Sequence, residues 1–345
     1  MREVQRSFAE EFERVLVESD TSVRRLARLS GISRRTLENW LYGRTSRPRH
    51  VDQILDVAQA LHLTALDTDR LLQAAEQPTL TQLKQQSERR ASEPALPLVG
   101  RSAEWRHAQA ALQTALQGQA HWLSIRGEAG IGKTRLAEEL ITEARSQGIF
   151  VARTRSYHTD GSLAYTAVAE LLHQYHQAGR LRELGDMTLV EIARLIPELI
   201  EERTDLEPPG PLLENWQRTR FYKALAGAIL SSDGPVVLVV DDMQWLDQES
   251  LEWLHFLLRF DARARLLVVG LFRDHAIDRN HALTNMLGAL RRDDQLSDII
   301  LRPLGKVDSV SLAENVLGSE LEKGKQTQLI TYFGGNPLFI VETVR

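Results

Sequence analysis

One segment constrains this chain more than any other: Gly127-Glu-Ala-Gly-Ile-Gly132-Lys133-Thr134. It fits the pattern G-x-x-x-x-G-K-[ST] at every required position. In a 345-residue chain with 21 Gly, chance produces about 0.003 such matches, so coincidence is set aside. The pattern belongs between a strand and a helix, because the loop amides and the helix N-terminus then face one anion together. Residues 121–126 read as the strand, and 135–144 as an amphipathic helix. In such a loop the backbone amides cradle a β-phosphate, Lys133 neutralises β and γ oxygens, and the Thr134 hydroxyl ligates Mg²⁺. Gly127, Gly130, Gly132, Lys133, Thr134 and Arg135 are the expected phosphate-side contacts.

A phosphate loop needs an acid beside it. Val236-Val-Leu-Val-Val-Asp241-Asp242 is an aliphatic strand ending in two carboxylates, the arrangement a Walker B element requires. Asp241 reads as the metal-side acid and Asp242 as the group that orients or deprotonates an attacking water, with Asp247 next in line. With 149–152 and 266–270, these runs predict an α/β sheet of buried parallel strands. Arg273 follows the last of them, where a γ-phosphate sensor would sit. Read alone it is equally a solvated charge pair with Asp274. Gly334-Gly335-Asn336-Pro337-Leu338, read alone, is a helix end followed by the cap and start of the next helix.

Composition narrows the remaining options. The net charge is −5, yet residues 24–49 hold eight arginines (24, 25, 28, 34, 35, 44, 47 and 49) against Glu38 alone, a local +7. With no cysteine, disulfides and thiolate metal sites are excluded, which fits the cytoplasm. No apolar run approaches the length of a membrane helix, and Met1-Arg-Glu-Val-Gln-Arg is no secretory signal. No membrane partner is expected.

The basic window coincides with a helical pattern. Val23, Leu26 and Ala27 form the inner face of one helix, Gly31 permits a tight turn, and Ser33 caps a second helix with Leu37 and Leu41 inward. Trp40 reads as core. This resembles the Xre/Cro type of helix-turn-helix, with two further helices near 51–61 and 65–75. The resemblance implies double-stranded DNA as partner, contacted by Ser33, Arg34, Arg35, Glu38, Asn39 and Arg44.

The expected organisation is multidomain: an all-α helix-turn-helix domain (1–76), a linker (77–97), an α/β P-loop NTPase with a parallel sheet (98–300), and a partial helical lid (301–345). The order Val99-Gly100-Arg101, phosphate loop, Asp241-Asp242-x-x-Trp245-x-Asp247, Arg273, Gly-Asn-Pro resembles the STAND class of signal-transduction NTPases, a branch of the AAA+ superfamily. The resemblance implies ATP/ADP and Mg²⁺ as cofactors, Val99 and Arg101 beside base and ribose, Arg273 reading the γ-phosphate, and Pro337 packed on adenine. It also implies a slow ATPase that switches transcription, self-associates in the ATP state and answers an inducer bound by C-terminal regions. The family continues into a winged-helix domain and a sensor. This chain ends at Arg345, so a truncated or shortened member is expected. Alternatives are a defence or death-type switch whose N-terminal helices bind protein, and an ATP-dependent DNA loader.

Overall fold

The computed structural model describes residues 7–30, 32–45, 48, 51–61, 63–83, 97–156, 164–231, 234–274, 281–322, 324, 326 and 334–344. The chain divides into two compact units, Met1–Pro94 and Ala95–Arg345.

The first unit holds α1 (Phe8–Glu18), α2 (Val23–Ser30), α3 (Arg34–Leu41), α4 (Val51–Ala60) and α5 (Ala65–Ala74). A capping box starts α1: Ser7 Oγ accepts the Glu10 amide while Glu10 Oε2 accepts the Ser7 amide at 2.7 Å. Phe8, Phe12, Val15 and Leu16 recur at helical spacing and are buried. They close on Trp40, whose ring meets Phe8 and Phe12 edge-on at 5.4 and 5.6 Å. Trp40 is core, as its sequence context suggested. Leu26, Leu37, Ile54 and Leu71 complete this core, while Val23, Ala27 and Leu41 are only half-buried against it.

Ser33 caps α3 by accepting the Thr36 amide at 3.1 Å. Arg24, Arg25, Arg28, Arg34, Arg35 and Arg44 are exposed, whereas Gly31, Arg47 and Arg49 lie outside the described residues. The linker expected from Gln77 starts later. Gln77 donates to the Pro48 carbonyl at 2.9 Å, the Leu80 amide donates to Asp69 at 2.7 Å, and Leu80 and Leu83 pack on the helical core. Two leucines three apart in a polar stretch are enough to dock one more turn. Residues 84–96 of that linker lie outside the described residues.

The second unit runs α6 (Ser102–Leu116), β1 (His121–Arg126), α7 (Lys133–Ser146), β2 (Phe150–Arg155), α8 (Thr166–Gln177), α9 (Asp186–Ile192), α10 (Glu198–Glu202) and α11 (Asn215–Leu230). It continues with β3 (Val236–Asp241), a 3₁₀ turn (Met243–Trp245), α12 (Gln248–Phe260), β4 (Leu266–Phe272), α13 (His281–Arg292), β5 (Leu296–Ile300), α14 (Lys306–Leu317) and α15 (Pro337–Val344). The five strands form one sheet in the order β2-β3-β4-β1-β5, and every pairing is parallel.

Both faces of the sheet are covered. Val236, Leu238 and Val240 pack with α8, α11 and α12 residues such as Leu171, Leu225 and Leu254. Val237 and Val239 pack with Leu112 of α6 and Leu136 and Leu140 of α7. A strand buried on both faces has no polar side to show, so β3 and β4 read as unbroken apolar runs. β5 did not read as a strand: it lies at the sheet edge, and Ser297 and Asp298 interrupt its apolar pattern. Glycine is required at Gly270, where a Cβ would stand 2.5 Å from Met243 Sδ and 2.6 Å from the Trp122 ring. Its absence lets the turn after β3 pack down against the sheet.

Because all strands run the same way, the segments leaving β1, β2, β3 and β4 share one edge, the edge where open α/β sheets bind ligands. A small core of Leu304, Leu312, Ala313 and Ile340 joins α14 to α15. Among the described residues, no helix is long and apolar enough to cross a membrane.

Candidate nucleotide site

The segment between β1 and α7 turns on three glycines with positive φ: Gly127 at 151°, Gly130 at 72° and Gly132 at 101°. Side chains rarely tolerate that region. Space adds a second reason at Gly127, where a Cβ would lie 2.7 Å from the Leu301 carbonyl. Lys133 opens α7 and is buried; its Nζ donates to the carbonyls of Gly127 at 3.0 Å and Glu128 at 2.8 Å. Its ammonium thus lies inside the loop.

Thr134 Oγ1 donates to Asp241 Oδ2 at 3.2 Å, although the two are 107 positions apart in sequence. The sheet brings together the hydroxyl and the carboxylate expected to hold Mg²⁺. A hard-oxygen pair of this kind suits that ion, which keeps several waters and takes few protein ligands. Among the described residues, no group of three His, Cys, Asp or Glu forms an all-protein cage elsewhere.

Two arginines that the sequence reading missed complete the acid pair. Arg153 Nη2 donates to Asp241 Oδ2 at 3.1 Å, and Arg155 Nε donates to Asp242 Oδ2 at 2.8 Å. Asp241 Oδ1 accepts the Asp242 amide at 2.9 Å, and Gln244 Nε2 donates to Asp242 Oδ1 at 2.8 Å. Asp242 sits in the left-handed region at φ 55°, a strain of about 1–3 kcal/mol that aspartate tolerates better than most residues. The two carboxyls diverge electrostatically. Burial first, and then repulsion from Asp242, raises the Asp241 pKa. Burial works against charge at Asp242 as well, but Arg155, Gln244 and Arg273 outweigh it and hold this carboxyl below its ordinary value. Asp242 is the acid kept ionised.

Arg273 follows β4, is buried, and stands close enough to Asp242 to help lower its pKa. Asp247 acts as the N-cap of α12: its Oδ1 accepts the Ser250 amide at 2.7 Å and the Tyr165 amide at 2.9 Å. Arg135 pairs with Glu139 one turn along α7 at 2.6 Å.

The flanking segments make contacts of their own around the loop. Arg101 donates to the carbonyls of Ile131 at 3.1 Å and Arg302 at 2.7 Å, and pairs with Glu104 at 3.2 Å. Its guanidinium braces the loop from outside. Val99 packs against the small core between α14 and α15. Pro337 occupies the first turn of α15, half-buried. Beside it Asn336 Nδ2 donates to the Ala129 carbonyl at 3.0 Å, which brings the Gly-Asn-Pro segment onto the phosphate loop.

A parallel sheet with a glycine-rich loop between β1 and α7, a buried lysine, and a hydroxyl–carboxylate pair defines the P-loop nucleotide-binding class. The AAA ATPase domain family matches residues 97–269, half of the chain, and the chain belongs to that family. No curated protein gives a significant match. Among solved structures, similarity extends to Cdc6p from Pyrobaculum aerophilum (15% identity, TM-score 0.45, covering 72% of this chain and 62% of that one). It extends also to AMPPCP-bound DnaA from Aquifex aeolicus (15%, TM-score 0.39, 72% and 61%). A third is the Aeropyrum pernix Orc1 protein in complex with DNA (19%, TM-score 0.35, 64% and 50%). The chain spans half to about three fifths of the length of these proteins.

Proposed function

We propose that this chain is an ATP-dependent switch of the STAND class whose nucleotide state controls self-association and, through it, DNA binding by an N-terminal helix-turn-helix. The observation that carries the reading is the convergence of Lys133, Thr134, Asp241, Asp242 and Arg273 on one edge of the sheet. Lys133 would leave the Gly127 and Glu128 carbonyls to meet β and γ oxygens. Thr134 and Asp241 would hold Mg²⁺, which when bound supplies charge neutralisation at the phosphates. Asp242, kept ionised, would orient a water and accept its proton, with Arg273 close by to sense the γ-phosphate. Hydrolysis by so few groups would be slow.

The N-terminal unit supports the DNA half of the proposal. Ser33 caps α3, and the exposed Arg34, Arg35 and Arg44 lie on or just after it, with Glu38 and Asn39 on the same helix. Phosphate contacts from such a surface give affinity, and base-edge contacts from α3 give sequence preference. A single unit reads one half-site, so association of two chains would raise effective concentration at a paired site.

The test is DNA affinity of the whole chain with ADP, with ATP and as the Lys133→Ala variant, with sedimentation of each. ATP should promote association and tighten DNA binding together, and Lys133→Ala should do neither. Tight DNA binding that ignores nucleotide would refute the coupling. Fast, DNA-stimulated turnover would move the reading to a DNA loader.

A further inference from the structure

The carbonyls of the phosphate loop are claimed one after another. Lys133 Nζ takes Gly127 and Glu128, Asn336 Nδ2 takes Ala129, the Leu338 amide takes Gly130 at 3.2 Å, and Arg101 Nη2 takes Ile131. A trans peptide points its C=O and the following N–H in opposite directions. Holding the Ala129 and Ile131 carbonyls outward therefore turns the Gly130 and Gly132 amides the other way, toward the space a phosphate would fill. When a polyphosphate draws Lys133 away, the carbonyls of 129–131 are left to donors from outside the loop. Two of those three donors come from the last segment, some 200 residues downstream.

The contact is fitted as well as hydrogen-bonded. A Cβ at Gly130 would lie 2.7 Å from Leu338 Cβ and 3.0 Å from Asn336 Oδ1. The missing side chain there makes room for the start of α15. One bond further back, the Leu304 amide donates to the Gly335 carbonyl at 2.8 Å, fixing the segment to the strap that leaves β5. The Asn336 side chain thus has two jobs on two atoms: Oδ1 accepts the Leu338 amide at 3.0 Å and caps α15, while Nδ2 holds the loop.

We infer that Asn336 is a positioning residue for nucleotide binding: its carboxamide, with the Leu338 amide, forms the outer wall that orients the phosphate loop, so docking of this segment and nucleotide affinity are linked in both directions. The inference rests on the nucleotide reading proposed above. Linkage is reciprocal, so bound nucleotide must tighten the hold on α15 by the same factor that docking tightens nucleotide.

The two jobs can be separated. Asn336→Ser keeps an N-cap acceptor for α15 but cannot reach Ala129, so it removes the loop bond and spares the cap. Calorimetry of the full chain with ADP and with ATP, in Mg²⁺, should show Asn336→Ser binding both about three- to tenfold more weakly, the worth of one neutral hydrogen bond. The melting temperature without nucleotide should fall less than the melting temperature in ADP, because the loop depends most on this bond once Lys133 has left its carbonyls. Hydrogen exchange gives an independent readout: ADP should slow exchange at the amides of 338–344 in wild type and do so less in the variant. Unchanged affinity with unchanged exchange would overturn the inference. So would an equal fall of the melting temperature with and without ADP, since Asn336 would then act only as a cap. Lys133→Ala serves as the reference for a phosphate loop without its lysine; if wild type binds ADP and ATP no better than that variant, the nucleotide reading itself fails.

Discussion

Arg155 and Asp242 meet across the ends of β2 and β3, with Nη2 2.6 Å and Nε 2.8 Å from the same carboxylate oxygen. The carboxylate is mostly buried and the guanidinium partly exposed, so the pair is neither a surface ornament nor a fully desolvated ion pair. A hydrogen bond to a charged partner of this kind is worth about 1.5–3 kcal/mol. Arg155→Ala should lower the stability of the second unit by an amount in that range. Combined with Asp242→Asn, the loss should fall short of the two single losses added, because they share one interaction. Chemical denaturation of the four chains closes this cycle. Strict additivity would mean that the pair is not coupled in solution.

Asp242→Asn should separate binding from turnover. The amide keeps the size and its one oxygen can still accept from Arg155 or from Gln244, but it cannot take a proton. ATP should bind within about twofold of wild type while hydrolysis falls by about 10²–10⁴, the usual loss for a general base. Equal turnover in the two proteins would remove Asp242 from the chemistry. Asp247 is then a poor substitute, since its Oδ1 already serves two backbone amides.

Lys133→Ala should cost about tenfold or more in ATP affinity, because the γ-phosphate loses its nearest ammonium. The fold should persist: the lysine ammonium bonds carbonyls of the loop itself, those of Gly127 and Glu128. Calorimetry for affinity and circular dichroism for fold check both halves.

Legibility in the sequence followed burial. The phosphate loop and β3 were readable because local rules fixed them: glycine where φ is positive, and aliphatics where both faces are covered. Arg153 and Arg155 were not, since a charged alternation at the end of a short apolar run reads as loop until β3 is known to lie beside it. The only available signal was the spacing of two, which puts both side chains on one face of a strand. Arg101 and Asn336 belong to motifs that the sequence shows, but their carbonyl partners at 131, 302 and 129 depend on tertiary contacts that no local pattern encodes. The edge strand β5 is hard to read because two of its five residues, Asp298 and Ile300, are exposed and only Ile299 is buried.

DNA binding should divide into two kinds of mutational effect. Replacing Arg24 and Arg28 by Ala, both exposed, should weaken binding uniformly and reduce the salt slope by about one for each phosphate that is no longer neutralised. Arg34→Ala or Asn39→Ala should chiefly relax sequence preference, by about 1–3 kcal/mol at the affected base. Arg34 also pairs with Glu38 at 2.7 Å, so Arg34→Ala releases the Glu38 carboxylate as well. Affinities for matched and scrambled duplexes across a salt series distinguish these effects. No salt dependence at all would favour a protein partner for the helical unit.

Acid stability offers a test far from the nucleotide site. His121, the first residue of β1, is buried, and its Nε2 lies 2.8 Å from Ser297 Oγ on the neighbouring β5. Its Nδ1 is buried without a hydrogen-bond partner. Burial, only partly opposed by Asp294, lowers its pKa below the ordinary 6.5. The unfolded chain therefore takes up a proton near pH 6.5 that the folded chain still refuses. Stability from this group is fully present above pH 6.5 and declines as pH falls from there toward the lower folded-state pKa. His121→Gln retains a polar group able to reach Ser297 and cannot titrate. On acidification from pH 7 to 5, wild type should lose more stability than His121→Gln in urea unfolding of the second unit. Parallel losses in the two proteins would show that His121 is already protonated in the fold, or exposed to solvent there.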